Sequence, residues 1–286
     1  YREQLALRYR GFSTAQFMNQ LFGNVKDLGK GRQMPVHYGC RELNIMTISS
    51  TLATQIPQAA GYAYGQKLKG LDACTVCYFG EGAASEGDFH AGLNMAAVLH
   101  CPVVFVVRNN GYAISTPTSE QFVTDGIAPR GLGYGIKTIR VDGNDILAVY
   151  SAATEARRIA VEEQRPVLIE TMSYRLGAHS TSDDPHGYRS REEEDKWRQL
   201  DPIERMQNWL IERRWWDDQT DEALQQSYRA EILIELKLAE KRDKPALSSL
   251  ITDVYQTPPT LLLEQFQNLQ NHIAKYPEHY GAQAES

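Results

Sequence analysis

The strongest constraint on the fold is an alternation of strand-like and helix-like segments between residues 54 and 172. The predicted strands are residues 74–79, 102–107, 137–141 and 167–172. The predicted helices, which have apolar residues at helical spacing, are residues 54–68, 86–99 and 145–163. Asn144 is the expected N-cap of the last of these helices. This alternation predicts an α/β fold in which a mainly parallel sheet carries helices on both faces.

Beyond Trp197 the pattern changes to helices alone, which are rich in Glu, Gln, Arg and Leu up to about residue 276. We therefore predict two domains, an α/β domain at 1–198 and a C-terminal helical extension at 199–286. Two long loops are expected, at 23–50 and 173–201, and loops of this length in a compact domain are usually functional.

The overall composition is that of an ordinary globular protein, with 42% hydrophobic and 23% charged residues. The net charge of -6 gives no electrostatic reason to expect nucleic acid or an anionic membrane as a partner. No apolar run approaches the roughly 20 residues of a membrane helix. Because the chain starts at Tyr1 without an initiating Met, we expect further sequence upstream. Without a recognisable targeting segment, a bacterial cytoplasm is favoured, with the mitochondrial matrix as the eukaryotic alternative.

The four cysteines include a C-x-x-C pair, Cys74 and Cys77, which invites a metal or redox interpretation. Residues i and i+3 of a strand point to opposite faces, so the two thiols should diverge. A zinc site also needs a second pair at ligand spacing, and the sequence has none. We predict buried structural thiols in a reducing compartment.

Polar residues follow the first two predicted strands, at the point where each strand ends. Glu81 lies between Gly80 and Gly82 after the first strand, and the segment 109–112, Asn-Asn-Gly-Tyr, follows the second. In an open parallel sheet, ligands bind beyond the carboxyl ends of the strands. If these strands are neighbours, a carboxylate and an amide oxygen converge, and such oxygen donors suit Mg2+.

An anion could bind beside this metal. The amides of residues 82–85 lead into a predicted helix and can receive a phosphate, while Arg2, Arg108 and Arg175 are candidate counter-charges. The chemistry predicted for the site is therefore to hold a metal-bridged diphosphate. Taken singly, each glycine-containing loop could equally be a tight turn. The dinucleotide pattern G-x-G-x-x-G fails, because the third glycine position is Ser85.

The two loops together are more specific. Gly80-Glu81-Gly82, then 26 residues, then Asn109-Asn110 resembles the thiamine diphosphate motif of Gly-Asp-Gly followed by Asn-Asn, with Glu in place of Asp. The resemblance implies that Glu81 and Asn110 bind Mg2+ through their side chains. It also implies that Tyr112 contributes its backbone carbonyl.

Longer segments, such as GRQMPVHYG at 31–39 and AHSTSDD at 178–184, resemble alpha subunits of the thiamine-dependent decarboxylase of branched-chain 2-oxo acid dehydrogenases. This resemblance implies oxidative decarboxylation of branched-chain 2-oxo acids and reductive acylation of the lipoyl group of an acyltransferase component. It also implies an alpha2beta2 heterotetramer, in which the beta subunit supplies the carboxylate that activates the cofactor. Two alternatives stay open: a pyruvate or acetoin dehydrogenase alpha subunit, and a non-catalytic assembly subunit that retains a diphosphate pocket.

The same resemblance implies further ligand contacts. Besides the metal ligands, the implied cofactor contacts are Tyr1, Arg2, Ser50, Leu52, Gly82, Ala83, Arg108 and His179, to which the charge argument adds Arg175. The implied potassium ligands are Ser49, Thr51, Thr54 and Gln55. Position 51 is usually proline in the family, but it contributes a backbone carbonyl, which the change to Thr preserves.

His179 lies in a polar loop, 177–189, just past the fourth predicted strand. A lone histidine in such a loop is usually only solvent-exposed. However, a histidine side chain can exchange protons with a carboxylate or alkoxide, and the resemblance implies a position beside the reactive ring of the cofactor. Ser180 and Ser190 match the kinase-regulated serines of the family, and a phosphate beside His179 would add charge at the entrance of the site. His37 is a weaker candidate for the wall of the active site.

Overall fold

The computed structural model describes residues 3–280, so Tyr1 and Arg2, two expected cofactor contacts, lie outside the described residues. The chain divides into two compact units. The sheet unit is Thr51–Asp218, and the terminal unit combines the chain up to Ser50 with the chain from Gln219 onward. This division by contacts differs from the boundary at 198/199, which rests on a change of sequence pattern and stays a prediction.

The described residues form six strands and twelve α-helices. The strands are β1 (Thr75–Gly80), β2 (Val103–Asn109), β3 (Tyr112–Ala113), β4 (Thr116–Pro117), β5 (Lys137–Asp142) and β6 (Val167–Met172). The helices are α1 (Gln4–Tyr9), α2 (Thr14–Phe22), α3 (Gln55–Leu68), α4 (Gly87–Val98), α5 (Thr118–Gln121), α6 (Ala128–Gly133), α7 (Ile146–Glu162), α8 (Arg191–Arg198), α9 (Pro202–Glu212), α10 (Asp218–Glu240), α11 (Ser249–Thr252) and α12 (Thr260–Lys275).

The four long strands form one parallel sheet in the order β1-β2-β6-β5, and β3 and β4 pair as a small antiparallel ribbon. Each long strand coincides with a predicted strand to within two residues at either end. The expected parallel sheet is confirmed.

Helices cover both faces of this sheet. On one face, Phe79 and Phe105 pack with residues of α3 and α4, among them Phe89. On the other face, Val104 and Ile169 pack with apolar side chains of α7. Successive residues of β2 thus enter different cores, which explains why the strand is an uninterrupted apolar run. The α/β fold with helices on both faces is confirmed, and so is the helical character of the C-terminal region.

The cysteine pair is divided between these two cores. Cys77 packs in the core with α3 and α4, whereas Cys74 lies against the core with α7. The two thiols therefore diverge as predicted, and all four cysteines are free. Burial raises the pKa of the Cys77 thiol to about 12, so this group stays protonated at neutral pH.

Two local predictions are wrong. The N-cap of α7 is Asp145 and not Asn144, because the Asp145 carboxylate accepts the Ala148 amide at 3.0 Å, while Asn144 lies in the turn that leaves β5. The expected loop 173–201 contains helix α8, which Ser190 caps by accepting the Glu193 amide at 3.2 Å. This helix has no buried residue, so it shows no apolar periodicity in the sequence.

The terminal unit is helical around the long segment 23–50, which contains no helix or strand apart from an isolated bridge between Cys40 and Ile45. The side chain of Asn24 anchors the start of this segment, because its Nδ2 donates to Asn19 Oδ1 at 2.9 Å and to the Ala239 carbonyl at 3.0 Å. None of the helices within residues 3–280 has both the length and the apolar character needed to cross a bilayer.

A substitution at Gly92 of α4 tests how closely α3 and α4 pack. A Cβ at Gly92 would lie 2.8 Å from Ile56 Cγ2 and 2.9 Å from the Pro57 nitrogen, whereas a Cβ at Gly61 of α3 would meet no described atom within 4 Å. We expect Gly92→Ala to lower the free energy of unfolding by about 1–3 kcal/mol. The matched Gly61→Ala should raise it by about 0.5–1 kcal/mol, since it only restricts the unfolded chain. Denaturant unfolding followed by circular dichroism measures both, and equal stabilities would contradict this packing.

Candidate active site

The candidate site lies at the carboxyl edge of the sheet, beyond β1, β2 and β6. β1 and β2 are parallel neighbours, with Gly80 opposite Arg108, so Glu81 and the segment 109–112 leave the sheet side by side. The β1–β2 crossover runs through α4 on one face, and the β5–β6 crossover runs through α7 on the other. Ligand sites of open α/β sheets lie where the connections switch faces in this way.

Glu81 is a buried carboxylate with one oxygen to spare. Its side chain is 1% exposed, and Oε2 accepts the Asn110 amide at 3.2 Å. Oε1 is buried and has no hydrogen-bond partner among the described residues. Burial raises the pKa of Glu81, although the Asn110 amide and the positive charges of Arg175 and Arg108 act to lower it. A buried carboxylate oxygen in this condition needs a proton or a cation.

Asn110 and Tyr112 stand next to this carboxylate. Asn110 Oδ1 accepts the Tyr112 amide at 3.1 Å, which closes the turn after β2 and leaves the amide oxygen with a second lone pair. The Tyr112 phenol donates to Glu193 of α8 at 3.1 Å from both carboxylate oxygens. The three expected magnesium ligands are thus linked through Asn110. Their binding of a metal stays a prediction.

Gly82 and Ala83 continue the loop after Glu81 toward α4. A Cβ at Gly82 would lie 2.8 Å from Ala113 Cβ, so only glycine lets the two loops approach this closely. The amides of Ala84 and Ser85 donate to the carbonyls of Glu81 and Gly82, both at 3.1 Å. These two amides therefore already donate within the protein. Of the residues 82–85 that we expected to contact an anion, Gly82 and Ala83 stay candidates.

Arg175 follows β6 and braces the turn that carries Tyr112. Its Nη1 donates to the Tyr112 carbonyl at 3.4 Å, and its Nη2 donates to the Ile114 carbonyl at 2.6 Å and to the Tyr188 phenol at 2.8 Å. The guanidinium groups of Arg175 and Arg108 both act on Glu81 as positive charges. Arg175 thus supplies charge to the site while its Nη atoms hold protein groups.

His179 lies in an exposed loop that is tied to the end of β6. The His179 amide donates to Asp183 Oδ2 at 2.7 Å, and the Tyr188 phenol donates to the same oxygen at 2.7 Å. These two hydrogen bonds, that of the His179 amide first, lower the pKa of Asp183. The buried Arg189 donates to the carbonyls of Arg175 and Gly177 and pairs with a carboxylate of α8. The loop backbone is thereby held, while the His179 side chain stays exposed.

The remaining expected contacts are divided between the two units. In the sheet unit, Leu52 is exposed, the Thr54 hydroxyl donates to the Thr51 carbonyl at 2.9 Å, and Gln55 Nε2 donates to the Tyr78 carbonyl at 3.3 Å. Ser49 and Ser50 belong to the terminal unit. The potassium site and the cofactor contacts of Ser50 and Leu52 stay predictions.

His37 has a local role that the sequence did not reveal. It is buried within the terminal unit, and its Nε2 forms a short hydrogen bond with the Ser50 hydroxyl. Its other ring nitrogen, Nδ1, lies 2.9 Å from the Pro35 carbonyl. The ring thus positions the hydroxyl of an expected cofactor contact.

A cavity of about 500 Å3 opens beside the loop after β2, lined by Asn109, Asn110, Tyr112, Phe122, Glu193 and Trp197 among others.

Glu170 was not predicted from the sequence. It is 0% exposed in β6, and its carboxylate accepts a hydrogen bond from Asn109. A single charge directly after the apolar run 167–169 was the signal that could have found it. Within residues 3–280, no three His, Cys, Asp or Glu side chains cluster as a metal site. The expected magnesium set does not need such a cluster, because two of its three ligands are an amide and a carbonyl oxygen.

Comparisons with known proteins agree with one another. The family model of the dehydrogenase E1 component matches residues 1–248. The mitochondrial 2-oxoisovalerate dehydrogenase subunit alpha of Mus musculus is 55% identical over 281 residues, which cover 98% of this chain and 64% of the mouse protein. The corresponding subunit alpha 2 of Arabidopsis thaliana is 52% identical over 281 residues, which cover 98% of this chain and 60% of the plant protein. The chain thus spans less than two thirds of the length of these relatives.

Among solved structures, a protein from Mycobacterium smegmatis, described provisionally as a thiamin diphosphate-dependent enzyme, matches with a TM-score of 0.38 and 24% identity. The match covers 46% of this chain and 24% of that one. A likeness this weak supports no conclusion about this chain.

The variant Glu81→Gln tests whether the buried carboxylate of Glu81 lacks a stabilising partner in the metal-free protein. Burial raises the pKa of Glu81 in the folded protein, so the protonated carboxyl favours folding at low pH. This contribution to the free energy of unfolding is fully present below the pKa that Glu81 has in the unfolded chain. It is lost as pH rises through the pKa that Glu81 has in the folded protein. The variant keeps an acceptor for the Asn110 amide and removes the charge. We expect it to be more stable than the wild type by about 1–3 kcal/mol at neutral pH, and to lose this advantage as pH falls toward 4.

Thermal unfolding of the metal-free protein between pH 4 and 8 measures the difference. Glu155→Gln is the matched control, because Arg158 lowers the pKa of this half-exposed carboxyl and its removal should give no gain at neutral pH. A Glu81→Gln variant that loses stability at neutral pH would show that the carboxylate already has a partner.

Proposed function

The chain belongs to the family of dehydrogenase E1 components, and from this premise we propose that it is the alpha subunit of a branched-chain 2-oxo acid dehydrogenase. The proposed reaction is the oxidative decarboxylation of branched-chain 2-oxo acids such as 3-methyl-2-oxobutanoate, with reductive acylation of the lipoyl group of an acyltransferase component. Relatives more than half identical over 98% of the chain are named 2-oxoisovalerate dehydrogenase subunit alpha, which supports this choice of substrate.

One observation carries the proposal: the buried Glu81 with its unpartnered oxygen, held against Asn110 at the ends of neighbouring strands. Carboxylate, amide and carbonyl oxygens are the donors that Mg2+ accepts while it keeps positions for phosphate oxygens. Glu81, Asn110 and the Tyr112 carbonyl would hold the metal, and the amides of Gly82 and Ala83 would approach the diphosphate. The residues present therefore fit Mg2+ and thiamine diphosphate.

Bound thiamine diphosphate would supply the carbon nucleophile that attacks the keto carbon of the substrate. The contribution of this chain is to anchor and orient the cofactor and to move protons near the reacting carbon. We assign the second task to His179, whose exposed imidazole stands on a loop held by Asp183 and Tyr188. An imidazole can donate a proton to a developing alkoxide and accept it back.

The proposal includes partners and a compartment. A beta subunit would complete an alpha2beta2 heterotetramer and supply the carboxylate that activates the cofactor, and the lipoyl domain of the acyltransferase would accept the acyl group. Ser49, Thr51, Thr54 and Gln55 are the proposed potassium ligands. A bacterial cytoplasm and a mitochondrial matrix, the compartment of the named relatives, are the two candidate locations.

The function is tested on the chain assembled with its beta subunit. We expect initial rates with 3-methyl-2-oxobutanoate to exceed those with pyruvate by about tenfold or more, since a pocket for branched side chains gains about 1–3 kcal/mol from each methylene it buries. Calorimetric titration should show Mg2+-dependent binding of thiamine diphosphate, and Glu81→Ala should abolish it.

Three other outcomes would contradict the proposal. A preference for pyruvate would indicate a pyruvate or acetoin enzyme. Absence of turnover in spite of cofactor binding would indicate a non-catalytic assembly subunit, and full activity of the isolated chain would refute the role of the beta subunit.

His179→Ala tests the proton-transfer role. We expect acyl transfer to the lipoyl domain to fall by about 100-fold or more, the usual loss when a general acid–base is removed, with a much smaller loss of cofactor affinity, because the metal and the diphosphate anchor the cofactor. His186→Ala is the control, because this second exposed histidine lies in the same loop. Unchanged acyl transfer in the His179 variant would remove the residue from the mechanism.

A further inference from the structure

Glu170 is a fully buried carboxylate that the proposed chemistry leaves without a task. It lies in β6 directly after Val167, Leu168 and Ile169, all of which are buried, and its own side chain is 0% exposed. An ionised carboxylate inside a sheet domain is costly unless hydrogen bonds replace its hydration. Its presence at the carboxyl edge of the sheet, two residues from the end of β6, therefore needs a physical reason.

Four donors surround this carboxylate. Oε1 accepts from Asn109 Nδ2 at 2.9 Å and from the Ile127 amide at 2.8 Å, and Oε2 accepts from the Ala128 amide at 2.8 Å and from Arg140 Nε at 3.1 Å. A carboxylate offers about four lone-pair sites, so its accepting capacity is filled. Glu170 therefore has no capacity left for a ligand, and it acts on the groups that donate to it.

The backbone makes room for this arrangement. Gly126 has a φ of +72°, and a Cβ at that position would lie 2.5 Å from Glu170 Oε1. The loop before α6 can thus bring the amides of Ile127 and Ala128 onto the carboxylate only because residue 126 is glycine. The resulting hydrogen bonds connect β6 to the loop before α6 and to the end of β2.

Asn109 is the donor that matters for the proposed metal site. Its side-chain amide is used at both ends, because Nδ2 donates to Glu170 and Oδ1 accepts the Gly111 amide at 3.2 Å. The reverse orientation would set the amide oxygen against a carboxylate, so the contacts fix which atom is nitrogen. With both ends engaged in protein hydrogen bonds, the Asn109 side chain anchors the turn 109–112.

Asn109 directly precedes Asn110, whose amide binds Glu81 Oε2 and whose Oδ1 accepts the Tyr112 amide. We propose that Glu170 is a positioning residue that sets the geometry of the metal-binding turn 109–112 through Asn109. This inference rests on the proposed function, because it concerns the same Mg2+ and diphosphate. It adds a residue that lies 61 positions from Asn109 in the chain and whose carboxylate is already filled by four protein donors.

A purely structural role is the competing explanation. Arg140 pairs with both Glu170 and Asp125, so Glu170 could serve only to balance the charge of Arg140 and to fix the start of α6. The two explanations differ in whether Glu170 affects the metal site through its hydrogen bond with Asn109. Positioning predicts that the effect of Glu170 on the metal disappears when the Asn109 side chain is absent.

The test is a double-mutant cycle with Glu170→Gln, Asn109→Ala and their combination, in the chain assembled with its beta subunit. Isothermal calorimetry gives the dissociation constant of thiamine diphosphate at fixed Mg2+, and electron paramagnetic resonance of Mn2+ in place of Mg2+ reports on the metal's surroundings. We expect each single variant to weaken Mg2+-dependent binding by about 10- to 100-fold, the usual loss on removing an outer partner of a metal ligand. On the Asn109→Ala background, Glu170→Gln should change binding by no more than about twofold.

Arg140→Gln is the matched control. It removes a different hydrogen bond to Glu170, at 3.1 Å, and leaves the Asn109 contact in place. It should lower the unfolding temperature of the metal-free protein and leave the dissociation constant within about twofold of the wild type. If Arg140→Gln weakens cofactor binding as much as Glu170→Gln does, the role of Glu170 is structural and the proposal is overturned.

The remaining outcomes distinguish a failure of the proposed function from a failure of the positioning role. A wild-type assembly that binds no thiamine diphosphate with Mg2+ refutes the proposed function itself. A wild-type assembly that binds, together with a Glu170→Gln variant of equal affinity and an unchanged Mn2+ spectrum, refutes only the positioning role. If Glu170→Gln does not fold, Asn109→Ala decides alone, because it cuts the same link and leaves Glu170 three donors. Wild-type affinity in that variant overturns the proposal.

Discussion

The contact between Glu81 and the Asn110 amide is the interaction on which the candidate site depends. It joins the loops that follow β1 and β2, and it does so at a carboxylate that is 1% exposed. One oxygen of this carboxylate is held by the protein and the other has no described partner. The fold thus keeps a charged group in a place where burial raises its pKa, and a bound cation would remove that cost.

The sheet makes this contact possible. Parallel pairing puts Gly80 opposite Arg108, and the register then carries Glu81 to the side of the Asn-Asn pair without any further adjustment. β6 lies on the other side of β2, and both its Glu170 and the following Arg175 bind residues of the same turn. The turn 109–112 is therefore held by groups from three strands. This arrangement is the kind of rigid support that a metal site requires.

The loop of His179 is built differently. Its backbone is fixed through Asp183, Tyr188 and Arg175, but most of its residues are exposed and its charges are partly solvated. The expected metal ligands are held by the sheet edge, whereas the expected proton carrier stands on a loop held by side-chain hydrogen bonds and short local turns. A loop of that kind opens at a lower free energy than a sheet edge does, and the two halves of the site therefore differ in local stability.

The sequence by itself determined the elements whose signal is local. Apolar runs and helical spacing located β1, β2, β5 and β6 and the helices between them, and the spacing of the two glycine-bounded loops located Glu81 and Asn110. Prediction failed where the local signal was absent or ambiguous. Helix α8 buries no residue and so has no apolar stripe, and two adjacent residues, Asn144 and Asp145, are equally good caps until the first helical amide is placed.

Only the tertiary structure decided how the polar groups are shared out. Glu170 binds Asn109, and Arg175 uses its Nη atoms on protein carbonyls and a phenol, which the residue types leave open. The physical reason is that each hydrogen bond within the protein uses one donor hydrogen or one acceptor lone pair, and only what is left over can bind a ligand. Most of those competing partners are brought close by the pairing of strands and the packing of helices, at separations of tens of residues along the chain.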